Sequence, residues 1–121
     1  MASGHTPRSL KHLRAQGYPL VTVVEKWQMV PGHPGGGVRQ DLFGIIDIIA
    51  LRHGETLAVQ VTSAGQFTAH LRKIREHVTL VDGKEYPTAG LILDAGWRIE
   101  VHGWEKVKNR YVLKRTKEFI L

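Results

Sequence analysis

Apolar and polar positions change period several times along the chain, and each change marks an element. Leu10 and Leu13 are the apolar contacts of a short helix, Leu10 to Gln16, with Ser9 as its N-cap and Gly17 as its stop. Tyr18 to Met29, rich in Val and Thr, predicts a strand. Two prolines and four glycines between Pro31 and Gly37 then predict a loop. Phe43 to Leu51 is apolar on both faces, as in a central strand covered by helices. A turn at His53-Gly54 returns it as a second strand containing LAVQVTS. Thr62 or Ser63 is placed to cap a helix running to about His77, with Phe67, Leu71, Ile74 and Val78 as one buried stripe. His70, Arg72, Lys73 and Arg75 occupy its other side. Thr88 to Ala95 reads as a helix stopped by Gly96, although GLILD is also short enough for a strand. Trp97, Ile99 and Val101 alternate with Arg98, Glu100 and His102, the pattern of a half-buried strand. A turn through Lys108-Asn109 leads to a last strand, Tyr111 to about Lys117. The order is α-β-β-β-α with a mixed tail. Without a repeat or a linker, residues 1–121 are expected to form one domain.

The hairpin holds a polar residue in the middle of each strand. A two-residue loop at His53-Gly54 pairs positions whose numbers sum to a constant, which sets Asp47 opposite Gln60 on one face. A carboxylate between Ile46 and Ile48 is costly to bury unless it is paired or holds a metal. With Thr62 one step along, the arrangement suits a hard cation that takes oxygen ligands. The competing reading is a structural Asp, with Gln60 a core amide that satisfies it.

Composition narrows the classes of partner. Seventeen Lys and Arg against 11 Asp and Glu give a net charge of +6, which favours an anionic partner, nucleic acid before membrane. No apolar run approaches the ~18 residues needed to span a bilayer. MASGHTPRSLKHLR lacks the apolar core of a secretory signal, so a cytoplasmic protein is expected. Zero cysteines exclude disulfides and thiolate zinc sites. The seven histidines (5, 12, 33, 53, 70, 77 and 102) show no paired-ligand spacing, which argues against zinc. PGHPGGG lacks the Lys-Ser/Thr and GxGxxG patterns of phosphate cradles; a flexible, basic-flanked loop that folds over DNA fits it better.

GIIDIIAL followed by LAVQVTS resembles the core of the PD-(D/E)xK nuclease superfamily, especially Holliday junction resolvases of the archaeal and phage type. The resemblance spans roughly Leu10 to Val101. It implies an α/β, restriction-endonuclease-like core with a mixed sheet flanked by helices. In that family an Asp lies mid-hairpin and an acid-x-Lys follows on the next strand. The Asp position is Asp47, and Gln60-Val61-Thr62 stands at the acid-x-Lys. Gln thus replaces the second acid and Thr the lysine.

The resemblance implies a site built from Glu25, Asp47, Gln60 and Thr62, with Mg²⁺ as cofactor and Mn²⁺ as its substitute. The metal ligands would come from Asp47, Gln60, the Val61 carbonyl, Glu25 and Asp41. Glu25 is the one acid before Asp41, and it substitutes for the N-terminal acid that resolvases carry. A solvated strand Glu is the alternative; Asp41 is a second ligand or an ordinary loop carboxylate. For the missing lysine the candidates are Lys73, reaching back from the helix, Arg39 on the loop, and Lys26, which faces away from Glu25. Arg39, Arg72, Lys73, Arg75, Lys114, Arg115 and Lys117 are the expected DNA contacts. The function expected is a metal-dependent endonuclease cutting four-way DNA junctions in symmetric pairs, as a homodimer and not at a membrane, whether cellular or phage-encoded. Phe67, Trp97, Trp104 and Phe119-Ile120-Leu121 are candidates for the dimer patch. A non-catalytic DNA-binding module and a nicking or restriction-type nuclease on duplex DNA are the alternatives.

Overall fold

A computed structural model of the chain describes residues 4–121, apart from the side chain of Gln28. The elements are α1 (His5–Ala15), β1 (Leu20–Val23), β2 (Lys26–Met29), β3 (Gly37–Gln40), β4 (Ile48–Arg52), β5 (Glu55–Ser63), a 3₁₀ turn (Ala64–Gln66), α2 (Phe67–Glu76), β6 (Val78–Val81), β7 (Lys84–Pro87), α3 (Thr88–Asp94), β8 (Arg98–Val107) and β9 (Arg110–Phe119). The main sheet has five strands in the order β1-β4-β5-β8-β9. All its neighbours are antiparallel except β5 and β8, which run parallel and are joined through α2, β6, β7 and α3. The fold is α/β with a mixed sheet. No helix among the described residues is long and apolar enough to cross a membrane.

Period-2 alternation on β5 divides the core into two layers. Leu57, Val59 and Val61 meet Leu13 of α1, with Tyr18, Ile48, Ala50 and Trp104. On the other face Ala58, Ile99, Val101 and Phe119 pack with Phe67 and Ile74 of α2 and Ala89 and Ile92 of α3. Gln60 lies in register with Ala58, so it faces the α2 layer. The Lys108-Asn109 turn forms as the sequence predicts, both residues adopting positive φ as a tight two-residue hairpin requires.

Several expectations need correction. The helix begins at His5, with Pro7 tolerated in its first turn, so Ser9 is an interior position and caps nothing. Ser9 is fully buried against the sheet. Tyr18–Met29 is not one strand: β1 pairs with β4, and the chain then leaves the sheet to form the separate β2-β3 ribbon, whose turn is the glycine-rich segment. β4 starts at Ile48 rather than Phe43, because Phe43 (φ 54°) and Gly44 (φ 79°) form a tight turn. The helix expected from Thr62 or Ser63 starts at Phe67, and Val78 is exposed on β6 instead of completing the buried stripe. Thr88 to Asp94 is helical, which settles the GLILD ambiguity. His102 is buried, since α1 covers the face that the alternation assigned to solvent. Of the expected dimer patch, Phe67, Trp104 and Phe119 are core residues, while Ile120 and Leu121 are exposed.

Candidate metal centre

The hairpin register is the one the sequence predicts. Ile48 pairs with Val59 and Arg52 with Glu55, so Asp47 enters β4 opposite Gln60. The Gln60 Nε2 donates to Asp47 Oδ2 at 2.9 Å, and the Val61 N–H donates to the same oxygen at 2.8 Å. Both residues are buried, Asp47 at 5% and Gln60 at 3% exposure. Val61 turns its side chain to the α1 layer, and its backbone alone meets the site. In an antiparallel ladder a residue's N–H and C=O face the same neighbour, so the Val61 carbonyl is directed to this edge too.

Two local features bring further acids to Asp47. The first is the turn before it: Leu42 and Ile46 exchange backbone hydrogen bonds of 2.8 and 3.0 Å, folding residues 42–46 into a closed loop. That loop returns Asp41 to the neighbourhood of Asp47. Gly44 is required at its tip, because a Cβ there would meet the His77 ring at 2.5 Å, on top of the positive φ. The contact docks the loop on the C-terminal end of α2. The second feature is the end of β1, where the Val24 N–H donates to the Asp47 carbonyl at 2.8 Å. Glu25 follows at the point where the chain departs for β2. Carboxyl oxygens of Glu25, Asp41 and Asp47 consequently lie within 4.8 Å of one another.

Such a cluster needs neutralising. The Arg39 Nη1 reaches Glu25 Oε1 at 3.1 Å, and the Lys73 Nζ reaches Asp41 Oδ2 at 3.7 Å. Among the described residues Asp47 makes no ion pair, and its pKa is pushed up to about 8. Burial is the main cause. The Asp41 carboxyl beside it adds to the rise, the Val61 N–H opposes it, and the charges of Asp41 and Glu25 reinforce it. Two of the three carboxyls are thus met by ion pairs, and the third by a raised pKa.

One polar atom has no such answer. Among the described residues, Gln60 Oε1 is buried without a hydrogen-bond partner, beside the carboxyl that its own Nε2 holds. A buried carbonyl oxygen left unpaired costs about 1–3 kcal/mol. A hard cation among the carboxyls would satisfy it, and three carboxyls plus a neutral oxygen form a suitable donor set for Mg²⁺ or Mn²⁺. The residues present fit the cation.

No family model, curated protein or solved structure matches the chain.

The remaining expected site residues fall into groups. Thr62 is buried one step from Gln60 on the same face. Lys26 is exposed on β2 and, among the described residues, makes no ion pair. Arg39 and Lys73, expected on DNA, are held by the acids. Arg72 is exposed on α2, while the Arg75 guanidinium lies 5.2 Å from the Phe119 ring. Lys114 pairs with Glu105 at 3.7 Å, Arg115 lies over the Phe67 ring at 4.4 Å, and Lys117 is exposed. Sequence reasoning missed His70: it is half-buried on α2 with Nδ1 unpartnered, and burial lowers its pKa.

A buried polar chain on the opposite face was also missed. The Trp104 indole N–H donates to Ser9 Oγ at 2.8 Å, Ser9 Oγ lies 2.8 Å from His102 Nδ1, and His102 Nε2 lies 2.6 Å from Glu100 Oε1. A donor at Nε2 leaves Nδ1 to accept from Ser9. Ser9 and His102 have no solvent exposure, so the chain pins α1 to β8 rather than offering a nucleophile.

Proposed function

We propose that the protein is a metal-dependent endonuclease of the PD-(D/E)xK type, cutting four-way DNA junctions as a homodimer inside the cell. The observation that carries this reading is the meeting of Glu25, Asp41 and Asp47 with the unpartnered oxygen of Gln60 at one edge of a mixed sheet. Asp47 and Gln60 are the positions that the family resemblance marks, and the sheet order is compatible with its core. Asp41 joins as a ligand rather than an ordinary loop carboxylate. A bound Mg²⁺ would polarise the scissile phosphate and lower the pKa of an attacking water. The net charge of +6 favours a polyanionic substrate.

The second reading is a DNA-binding module of the same fold without turnover, favoured by the buried Thr62 where the family has a lysine. Incubation with a four-way junction, a linear duplex and a single strand, each with Mg²⁺, Mn²⁺ or EDTA, separates the readings. Paired symmetric cuts in the junction, dependent on metal, are expected. Binding without cutting in any metal supports the module, and metal-dependent cuts in linear duplex alone support a nicking or restriction-type enzyme.

A further inference from the structure

Two cations and a cavity adjoin the acid cluster on its open side. A cavity of about 450 Å³ is lined by Arg39, Gln40, Asp41, Phe43, Gly44 and Lys73. Asp41 both lines this cavity and belongs to the cluster, so the cavity adjoins the acids. Arg39 and Lys73 come from different elements, β3 and α2, and converge here because the Phe43-Gly44 loop docks on the end of α2. Their side chains are 38% and 44% exposed, so each is free to swing. Lysine and arginine on a polar cavity suit one ligand chemistry above others, a phosphate or phosphodiester anion.

We infer that this cavity is the phosphodiester subsite, and that Lys73, with Arg39, binds the phosphate there after a divalent cation has displaced them from Asp41 and Glu25. The inference rests on the metal-centre reading of the cluster. Lys73 and Arg39 are counter-ions, held by the carboxylates that a dication would claim. Entry of the cation makes those pairs redundant, because a dication beside Asp41 repels the Lys73 ammonium at short range. The cavity is the adjoining space that receives it. Lys73 would thereby supply the positive charge that Thr62 cannot, from a helix rather than from the strand. Thr62 is buried in the α2 layer, where an ammonium would have no solvent. Lys73 lies on the solvated side of α2 and reaches the same cluster from outside.

The test is calorimetric. Mg²⁺ is titrated into the metal-free protein, and inorganic phosphate into the Mg²⁺-saturated protein, for wild type, Lys73→Met, Lys73→Arg and Asp47→Asn. Lys73→Met should bind Mg²⁺ at least as tightly as wild type, since a competing counter-ion is gone. Its phosphate affinity should fall on the order of tenfold or more, the worth of a charge-assisted hydrogen bond. Lys73→Arg should keep most of that affinity. Phosphate affinity in Lys73→Met within about threefold of wild type would overturn the inference, as would a parallel loss of Mg²⁺ affinity, which would make Lys73 a structural support. Wild type that takes up no more Mg²⁺ than Asp47→Asn would refute the metal-centre reading itself, and the subsite with it.

Discussion

Replacing Asp47 by Asn tests how the buried carboxyl is paid for in the absence of metal. Asn can place its carbonyl oxygen where Oδ2 accepts from Gln60 and Val61, so both hydrogen bonds are retained. What it removes is the titration. The folded pKa of about 8 lies far above the 3.8 of an ordinary Asp, so the folded state binds a proton that the unfolded state has released. The stability this proton confers is complete below about pH 4 and is lost as pH rises to about 8, at roughly 1.4 kcal/mol per pH unit. Over the window that sets a ceiling of about 6 kcal/mol, which charge exchange with Asp41 and Glu25 lowers. Urea unfolding in EDTA at several pH values should show Asp47→Asn close to wild type near pH 4 and increasingly more stable than it toward pH 8. Added Mg²⁺ should restore wild type by mass action and leave the variant unchanged. Cleavage should be abolished in the variant. A stability difference that does not vary with pH would refute the reasoning, and would describe an Asp with an ordinary pKa.

Three further outcomes follow from the same geometry. Gln60→Glu should tighten Mg²⁺ binding in a titration, because a carboxylate holds the ion better than an amide, and should destabilise the metal-free protein by adding a buried acid; unchanged affinity would remove Gln60 from the ligand set. Ser9→Ala should cost about 2–3 kcal/mol in urea unfolding, since the Trp104 N–H and His102 Nδ1 lose their buried partner, and should leave Mg²⁺ affinity intact. Neutralising Arg72 and Arg75 together should flatten the salt dependence of junction binding by a log-log slope of roughly 2, and a slope that does not move would place DNA on another face.

The centre of the site was legible because a two-residue hairpin has only one register. His53-Gly54 set Asp47 opposite Gln60, and the apolar flanks pointed to the pair's burial. Glu25 and Asp41 were nameable as acids, but their approach to Asp47 depends on tertiary events. The Val- and Thr-rich run from Tyr18 gives no local sign of a break. It breaks because β4 begins at Ile48, leaving the chain beyond Val24 no strand of the main sheet to pair with. Asp41 returns through a loop whose tip needs a glycine against His77, a contact between distant segments. Alternation from Trp97 to His102 located β8 correctly, yet it carries the assumption of one wet face. α1 covers that face, so Ser9 and His102 became a buried pair rather than a cap and a surface histidine. The reach of Lys73 to Asp41 was open in the sequence as one option among three, and helix position alone could not choose it.

The central claim is that Glu25, Asp41, Asp47 and Gln60 hold one divalent cation. Anomalous scattering from crystals grown with Mn²⁺ tests it most directly. The account predicts a peak among the three carboxyls, about 2.0–2.3 Å from its oxygen ligands, with Gln60 Oε1 among them and Lys73 withdrawn from Asp41. A cluster without a peak, its carboxyls still bridged to Arg39 and Lys73 while Mn²⁺ binds elsewhere, would contradict it.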